Sequence, residues 1–531
     1  MKYNPERIKK MRQNIKLFKE ENKMVIKNNL EPVPFSDQID WGYEHPHNAN
    51  TYQTYLHCLN PVVDFLAIAE EDGDETLVQD AKRLIMDWYE NGQDTGTHCW
   101  AEHAVSYRII NIILFQNRGG EYKLDDFIFD QIVEIHCSYL SEEKNYKMNN
   151  HGLMMDNALL KASYYIKDEQ LKSLYTDKAL YRIRFAFFRD ISRKGVHLEN
   201  SPEYQRLTLA LYRSISKTLK ETGQDLGRDI KLLFEKVNDF REYIIKPNNE
   251  YPMLGDTGQI EEGNIKKNYK DFLDKEAGIA ILQYKNKKDP AKSTYMTFNC
   301  GYQRVTHKHH DDLSVTLYLD GHDVLIDSGK YSYDKNDEIR QFMTSPDGHS
   351  TLGIKNMTYQ FTNPFEDQFN LTINKFTSTK DYKIISGMNN LYRGCTLSRT
   401  VILTREGVLI MIDRMSSGKN QNVYQNFPIN EQAVISKISD LEYNINIGEY
   451  DYIMETYQLR RPPITSSVEE GHISKKFGKA VENERITFSM ETDKASFVTA
   501  LYNKTHTVEN VRFANNRLDF SLNGKEHNIQ I

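Results

Sequence analysis

Long apolar runs are missing from this 531-residue chain. Nowhere do about 18 apolar residues follow one another, the length a helix needs to cross a bilayer, so no segment reads as membrane-spanning. The N-terminus, MKYNPERIKKMRQNIKLFKEENK, carries positive charge with no apolar stretch behind it. It does not match a secretory signal, and the expectation is a cytoplasmic protein. Cysteine is scarce. Cys58, Cys99, Cys137, Cys300 and Cys395 are odd in number and widely scattered, and they form neither a disulfide framework nor a CxxC metal site. An excess of positive charge is also missing. The formal net charge of -7 excludes nucleic acid as the main partner and leaves room for a local basic cleft. There is no low-complexity tract and no repeat of fixed period.

What is present is a folded, soluble composition, 39% hydrophobic and 27% charged, in a chain too long for one core. Aromatics reach 11%, with 33 Tyr, which suits a sugar-binding cleft and equally suits a core. The first half has helical periodicity. In ETLVQDAKRLIMDWYENG, Leu77, Val78, Ala81, Leu84, Ile85 and Trp88 recur at three and four residues, and Asn91-Gly92 marks a stop. Trp100–Phe115, Leu159–Ile166, Tyr175–Phe188 and Leu207–Thr222 continue the pattern. The Pro-, Gly- and Asn-rich stretch from Lys246 to Asn264 reads as a linker. Beyond about residue 278 the period becomes two. LSVTLYLDGHDVLIDS and GCTLSRTVILTREGVLIMIDRM predict hairpins turning at Asp320-Gly321 and near Glu406-Gly407. The expected fold class is α+β multidomain, a helical domain (1–245), a linker (246–277) and an antiparallel β-sandwich (278–531).

Three stretches carry chemistry. In THKHHDD, His307, His309 and His310 crowd together. If the segment is a strand, His307 and His309 share one face. Asp327, at the end of the return strand, and His349, in SPDGHST, could then join His309 around a zinc ion. The alternative is a solvated histidine cluster. In NYKMNNHGLMMDNALL, Asn149, Asn150 and His151 could hydrogen-bond a ligand carboxylate, while helix N-capping is the plainer reading. In HLENSPEYQRL, His197, Glu199, Ser201, Glu203 and Tyr204 crowd polar groups before an apolar helix.

Together and in this order, NNHG, HLENSPEY, PMLGDTG, HKHHDDLS with LIDSGKYSY, and RQFMTSPDGHST resemble the heparinase II/III-like polysaccharide lyases over nearly the whole chain. The resemblance implies an incomplete (α/α) toroid followed by a β-sandwich, and lyase action on an acidic, uronate-containing polysaccharide or oligosaccharide. It implies that Asn150 and His151 contact the substrate carboxylate, that Tyr204 and His307 are catalytic, and that His309, Asp327 and His349 hold one zinc ion, mainly structural. Asn149, Glu199, Trp100, Arg108, Tyr333 and Arg340 are the implied substrate-binding residues. Phe342 departs from the pattern, which has Tyr two residues after the Arg340 position. A homo-oligomer is left open.

Uronate β-elimination needs donors for the enolate charge and a proton carrier for the leaving oxygen. Asn150, His151, Tyr204 and His307 have that chemistry, and the order of base and acid is open between Tyr204 and His307. Two rivals stand beside the lyase. One is a glycoside hydrolase with Asp156 and Glu199 as paired carboxylates. The other is a non-catalytic polysaccharide-binding protein of capsule or envelope assembly.

Overall fold

The structure, a computed structural model, describes residues 3–35, 39–95, 98–263, 265–459 and 461–531. Asn264, the last residue of the Pro-, Gly- and Asn-rich stretch in the expected linker, lies outside them. The chain divides into two compact units, residues 1–189 with 208–230, and residues 190–207 with 231–531.

The first unit is helical. Two of its helices are buried on several sides. In Glu102–Arg118, Ala104, Val105, Ile109, Ile112, Ile113 and Phe115 have no exposed surface. In Asn150–Ser163, every residue from Gly152 to Leu160 is buried. Helices apolar on nearly all sides belong inside, and these two pack on each other. Asn149 caps the second of them, its Oδ1 accepting the His151 N–H at 2.9 Å. Gly152 is required there, because a Cβ would lie 2.0 Å from the Lys147 carbonyl oxygen. A short ladder, Lys23–Met24 against Val33–Pro34, interrupts a region expected to be wholly helical.

The second unit holds the sheets. Phe272–Asp274, Ile279–Tyr284, Thr294–Asn299, Ser314–Leu319 and His322–Leu325 form a five-stranded antiparallel meander. The hairpin turn falls at Asp320 and Gly321, both with positive φ (54° and 96°), as a primed turn demands. A ten-stranded antiparallel sheet follows, built around Leu409–Pro428 and Lys479–Asn503, and a three-stranded one closes the chain. Leu282, Phe298, Val315 and Leu317 of the meander pack against Leu397, Val401, Met411 and Phe488 of the large sheet. On the large sheet's other face, Ile402, Ile410 and Val498 meet Leu518 and Phe520 of the small sheet.

The outer face of the meander is covered too. Ile279, Ile281, Tyr295 and Tyr318 pack with Phe240, Ile244, Tyr251 and Leu254. All six residues of Ser314–Leu319 are therefore buried, although the sequence alternates as if one face were wet. Tyr251 and Leu254 come from the expected linker. That stretch is packed into the second unit because its apolar residues fill the outer face of the meander. Residues 190–207, assigned by sequence to the helical domain, also belong to the second unit.

At the centre of the sandwich Arg399 and Asp413, both without exposed surface, pair through two hydrogen bonds of 2.7 and 2.6 Å, and Gln425 adds a third at 2.8 Å. Removing one partner leaves a buried charge uncompensated. Asp413→Ala should lower unfolding free energy by about 3–5 kcal/mol, measured by urea denaturation, whereas Arg399→Met with Asp413→Leu together should cost much less.

Candidate active site

Three segments of the second unit meet at the site. His197 N–H donates to Gln205 Oε1 at 3.0 Å, tying the polar run before Tyr204 to the helix that begins at Pro202. Asn200, in the left-handed region (φ 58°), donates from Nδ2 to the carbonyls of Arg304 (2.7 Å) and Thr306 (3.0 Å). Ser201 Oγ donates to the Asp256 carbonyl at 3.1 Å and lies 2.7 Å from Thr257 Oγ1. The motif at 197–204 thus holds both other segments, 255–258 and 304–309.

Asp256 is the residue on which these segments converge. Its Oδ2 accepts from His307 Nδ1 at 2.9 Å and its Oδ1 from His309 Nε2 at 3.1 Å, while Arg340 binds both oxygens. Burial pushes this carboxyl up, but the hydrogen bonds of His307, His309 and Arg340 outweigh it and hold the group well below the usual carboxylate range. An ionised Asp256 fixes the proton of His307 on Nδ1 and leaves Nε2 as the basic nitrogen. No strand carries His307 and His309, in contrast to the sequence expectation. They lie in a loop, and His307 takes φ 57°, which turns both rings onto the same carboxylate.

Tyr204 stacks on His307 with ring centroids 3.6 Å apart and planes 20° apart. Its hydroxyl hydrogen-bonds the hydroxyl of Tyr333. Burial and that bond push the phenol above the usual tyrosine range, against the pull of Lys330, whose Nζ sits 4.9 Å over the ring. Lys330 itself faces Glu203 at 3.3 Å. The expected substrate-binding residues divide. Tyr333 is about half exposed (49%) beside Tyr204. Arg340 is committed to Asp256. Glu199 is buried (4% exposed), with Oε2 3.8 Å from His307 Nε2 and Oε1 3.7 Å from Arg304, so it backs the imidazole instead of facing a ligand. Phe342, at the departure from the pattern, lies edge-on to His472 at 5.5 Å.

His309, Asp327 and His349 are fully buried, and one ligand atom of each lies within 4.8 Å of the others. His309 Nδ1, Asp327 Oδ1 and His349 Nε2 have no hydrogen-bond partner in the protein. Three orphaned buried acceptors converging on one point suit a tetrahedral zinc ion with three protein ligands. The other nitrogen of each imidazole is held by a carboxylate, Asp256 for His309 and Asp327 for His349 (3.1 Å), an arrangement that fixes ligating histidines. Burial drives His309 toward the neutral form that ligation requires.

In the first unit, His151 Nδ1 lies 2.9 Å from Glu102 Oε1, and this bond holds the Glu102 carboxyl down to about 2. Asn150 is partly exposed at the start of its helix, and Asn149 is the cap. Trp100 is half-buried, its Nε1 donating to the Gln93 carbonyl at 2.9 Å. Arg108 corrects the sequence expectation. It has no exposed surface, its guanidinium donates to His136 and to the carbonyls of His57 and Cys99, and it lies 4.0 Å from the Trp88 ring centroid. It is an internal tie with no surface open to a substrate. Asp156, one of the carboxylates weighed for a hydrolase, is likewise fully buried, accepting from Tyr146 at 2.9 Å beside Arg182. It presents no surface to a sugar.

Asp256, Asn200 and Lys330 were not singled out by sequence. The signals for Asp256 are its place in PMLGDTG, one of the motifs that carry the resemblance, and an acid enclosed by glycines in GDTG.

Two family models match the chain, Heparinase II/III N-terminus over residues 6–284 and Heparinase II/III-like, C-terminal over residues 266–507. Among solved structures, that of heparan sulfate lyase HepC from Pedobacter heparinus has a TM-score of 0.79 at 15% identity, covering 100% of this chain and 90% of that one. The Heparinase III-BT4657 gene product has a TM-score of 0.79 at 14% identity, covering 99% and 90%. Another structure titled Heparinase III has a TM-score of 0.77 at 16% identity, covering 98% and 90%. No curated protein sequence matches. The fold is that of the toroid-plus-sandwich polysaccharide lyases, an incomplete (α/α) toroid followed by an antiparallel β-sandwich. The chain belongs to the heparinase II/III family and is a polysaccharide lyase.

Gly255 takes φ 52°, and a Cβ there would lie 2.5 Å from the Asn200 carbonyl oxygen and 2.7 Å from that of His307. Gly255→Ala should destabilise the protein by at least about 1–2 kcal/mol, read as a lowered melting temperature, and should lower turnover further by displacing His307.

Proposed function

We propose that the chain cleaves a uronate-containing glycan of glycosaminoglycan type by β-elimination, with His307 as base and Tyr204 as acid. The observation that carries this reading is the stack of Tyr204 on His307, with His307 held by an ionised Asp256. The names of the similar structures, heparan sulfate lyase and heparinase III, support the substrate class.

Asp256 keeps the His307 proton on Nδ1, so Nε2 carries the lone pair that takes the proton alpha to the sugar carboxylate. The electron pair of that C–H bond forms the new carbon–carbon double bond as the bond to the 4-linked oxygen breaks. Tyr204, kept protonated by burial, gives its proton to the departing oxygen. The phenolate is then re-protonated from solvent or through the adjoining Tyr333 hydroxyl, with Lys330 steadying it in the interval, and the His307 imidazolium gives its proton up to solvent, which restores both groups. Hydrogen-bond donors at the uronate carboxylate would offset the charge that develops as the proton leaves, the chemistry that Asn150 and His151 of the first unit possess.

His309, Asp327 and His349 are assigned to one zinc ion. When bound it would cross-link the His307 loop to the strand end at Asp327 and to the His349 turn, a structural role.

The test is a panel of uronate polymers and oligomers of heparan, hyaluronan, chondroitin and alginate type, followed by the near-ultraviolet absorbance of the unsaturated product. Tyr204→Phe should fold normally and lower kcat by at least about 100-fold; Asp256→Asn should lower kcat as much and also lower the melting temperature, because it leaves Arg340 without its counter-charge. Full activity in Tyr204→Phe would remove that residue from the mechanism. Absence of unsaturated product from every member of the panel would sink the elimination itself. Metal analysis should find about one zinc per chain. His309→Ala should lose it together with several degrees of melting temperature, and a metal-free protein with unchanged melting would refute the assignment.

A further inference from the structure

The helix Glu169–Asp190 of the first unit is apolar on two opposite faces. Ala179, Ile183 and Ala186 on one face have no exposed surface, so that face is built into the unit. The other face carries Leu171, Leu174, Tyr181, Phe185 and Phe188, and it lies in water, with exposures of 40, 56, 71, 43 and 56%. A helix with two apolar faces needs a neighbour on each. Among the described residues only the inner face has one.

The area left open is large. At 150–250 Å² for a whole aromatic side chain, these fractions amount to roughly 400–500 Å² of apolar surface. Monomeric proteins seldom leave more than a few hundred Å² together. Two such stripes would bury roughly 800–1,000 Å² against each other, and the polar margins carry the total past the roughly 1,000 Å² that a specific interface needs. Tyr164, 52% exposed, adds to the margin, joined to the helix by Lys172, whose Nζ lies 5.8 Å over its ring.

Spacing indicates what covers the stripe. Counting Lys178, its members fall at 171, 174, 178, 181, 185 and 188, the alternation of three and four that seams paired helices. The series reads the same from either end. A second copy, running antiparallel about a two-fold axis between Lys178 and Tyr181, therefore meets it in register. Leu171 then faces Phe188 of the second copy and Leu174 faces Phe185, small against large. Lys178 donates from Nζ to the Ser141 carbonyl at 3.0 Å, so its stem is what faces Tyr181. Charge favours the same direction. Asp168, Glu169 and Asp177 flank the first half of the helix, and Arg184 and Arg189 the second. Antiparallel pairing brings Asp177 beside Arg184 of the second copy, which shares an exposed pair with Asp229 in its own chain (2.8 Å). Parallel pairing would set like ends together.

We propose that this stripe is a homodimer interface, whose occupant is the same stripe of a second copy in antiparallel orientation. The proposal does not rest on the lyase reading.

The experiment is sedimentation velocity on the full chain over about a hundredfold range of concentration. A monomer–dimer equilibrium is expected. Tyr181→Glu with Phe188→Glu should weaken it at least about tenfold with the melting temperature of the monomer unchanged. Tyr181→Ser alone, at the most exposed position of the stripe, repeats the test should the double variant melt early. Orientation is read by cross-linking, since the five native cysteines are all buried. A chain carrying both Leu174→Cys and Phe185→Cys should give a covalent dimer when oxidised with diamide, and either substitution alone should not. A chain that stays monomeric throughout, or a dimer that these variants leave unaltered, overturns the proposal. So does a covalent dimer from Leu174→Cys alone, the mark of parallel pairing. Flotation of a monomeric chain with phosphatidylglycerol vesicles, lost in Tyr181→Glu, would make a lipid surface the occupant and overturn it as well.

Discussion

One carboxylate organises the site. Asp256 takes the inner nitrogen of His307 on one oxygen and that of His309 on the other, with Arg340 across both. A buried ionised group is costly unless fully hydrogen-bonded, and here every bond that stabilises it also orients a functional side chain. The tautomer of His307 and the free nitrogen of His309 are set by the same charge. The imidazole of the proposed chemistry and the imidazole of the proposed zinc site are therefore one structure, joined through a single residue from a third segment.

That junction is held by backbone conformations few residues adopt. Asn200, Gly255 and His307 all have positive φ, and each lies where the chain must turn within a few atoms of another segment. Such turns persist when the surroundings fix them, and the sandwich supplies those surroundings. The meander is packed on both faces, and the large sheet is locked by the Arg399–Asp413 pair.

The coarse architecture was legible because its cause is local. Periods of 3.6 and 2, and the Asp320-Gly321 turn, mark helices, strands and a hairpin without any knowledge of the partner across the core. What the period could not supply was which faces are covered. Tyr318 looks wet in the sequence and is buried, because apolar residues of the stretch taken for a linker pack with it. The site was legible only through the order of its motifs. Tyr204 and His307 are remote in sequence, and no spacing rule connects them. The His-x-His spacing pointed to two residues that do converge, on Asp256, but for a reason that does not apply, since a left-handed turn and not a strand face brings the rings together. Asp256 was hidden because Gly, Asp and Thr in a row are also what an idle loop contains. Arg108 misled in the other direction, since a cation among tryptophans has the composition of a sugar site and serves here as internal packing.

The interleaving of the two units has a consequence for how the molecule can be taken apart. Residues 190–207 belong with 231–531, and 208–230 belong with the start of the chain. No single cut yields two whole pieces. A fragment beginning at residue 246 would keep most strands and lose Tyr204, together with the Asn200 and Ser201 contacts that pin the loops beside it. During synthesis those residues leave the ribosome long before the strands they join, and must wait for them. Exchange of one half between relatives by a single crossover would cut across the same connections.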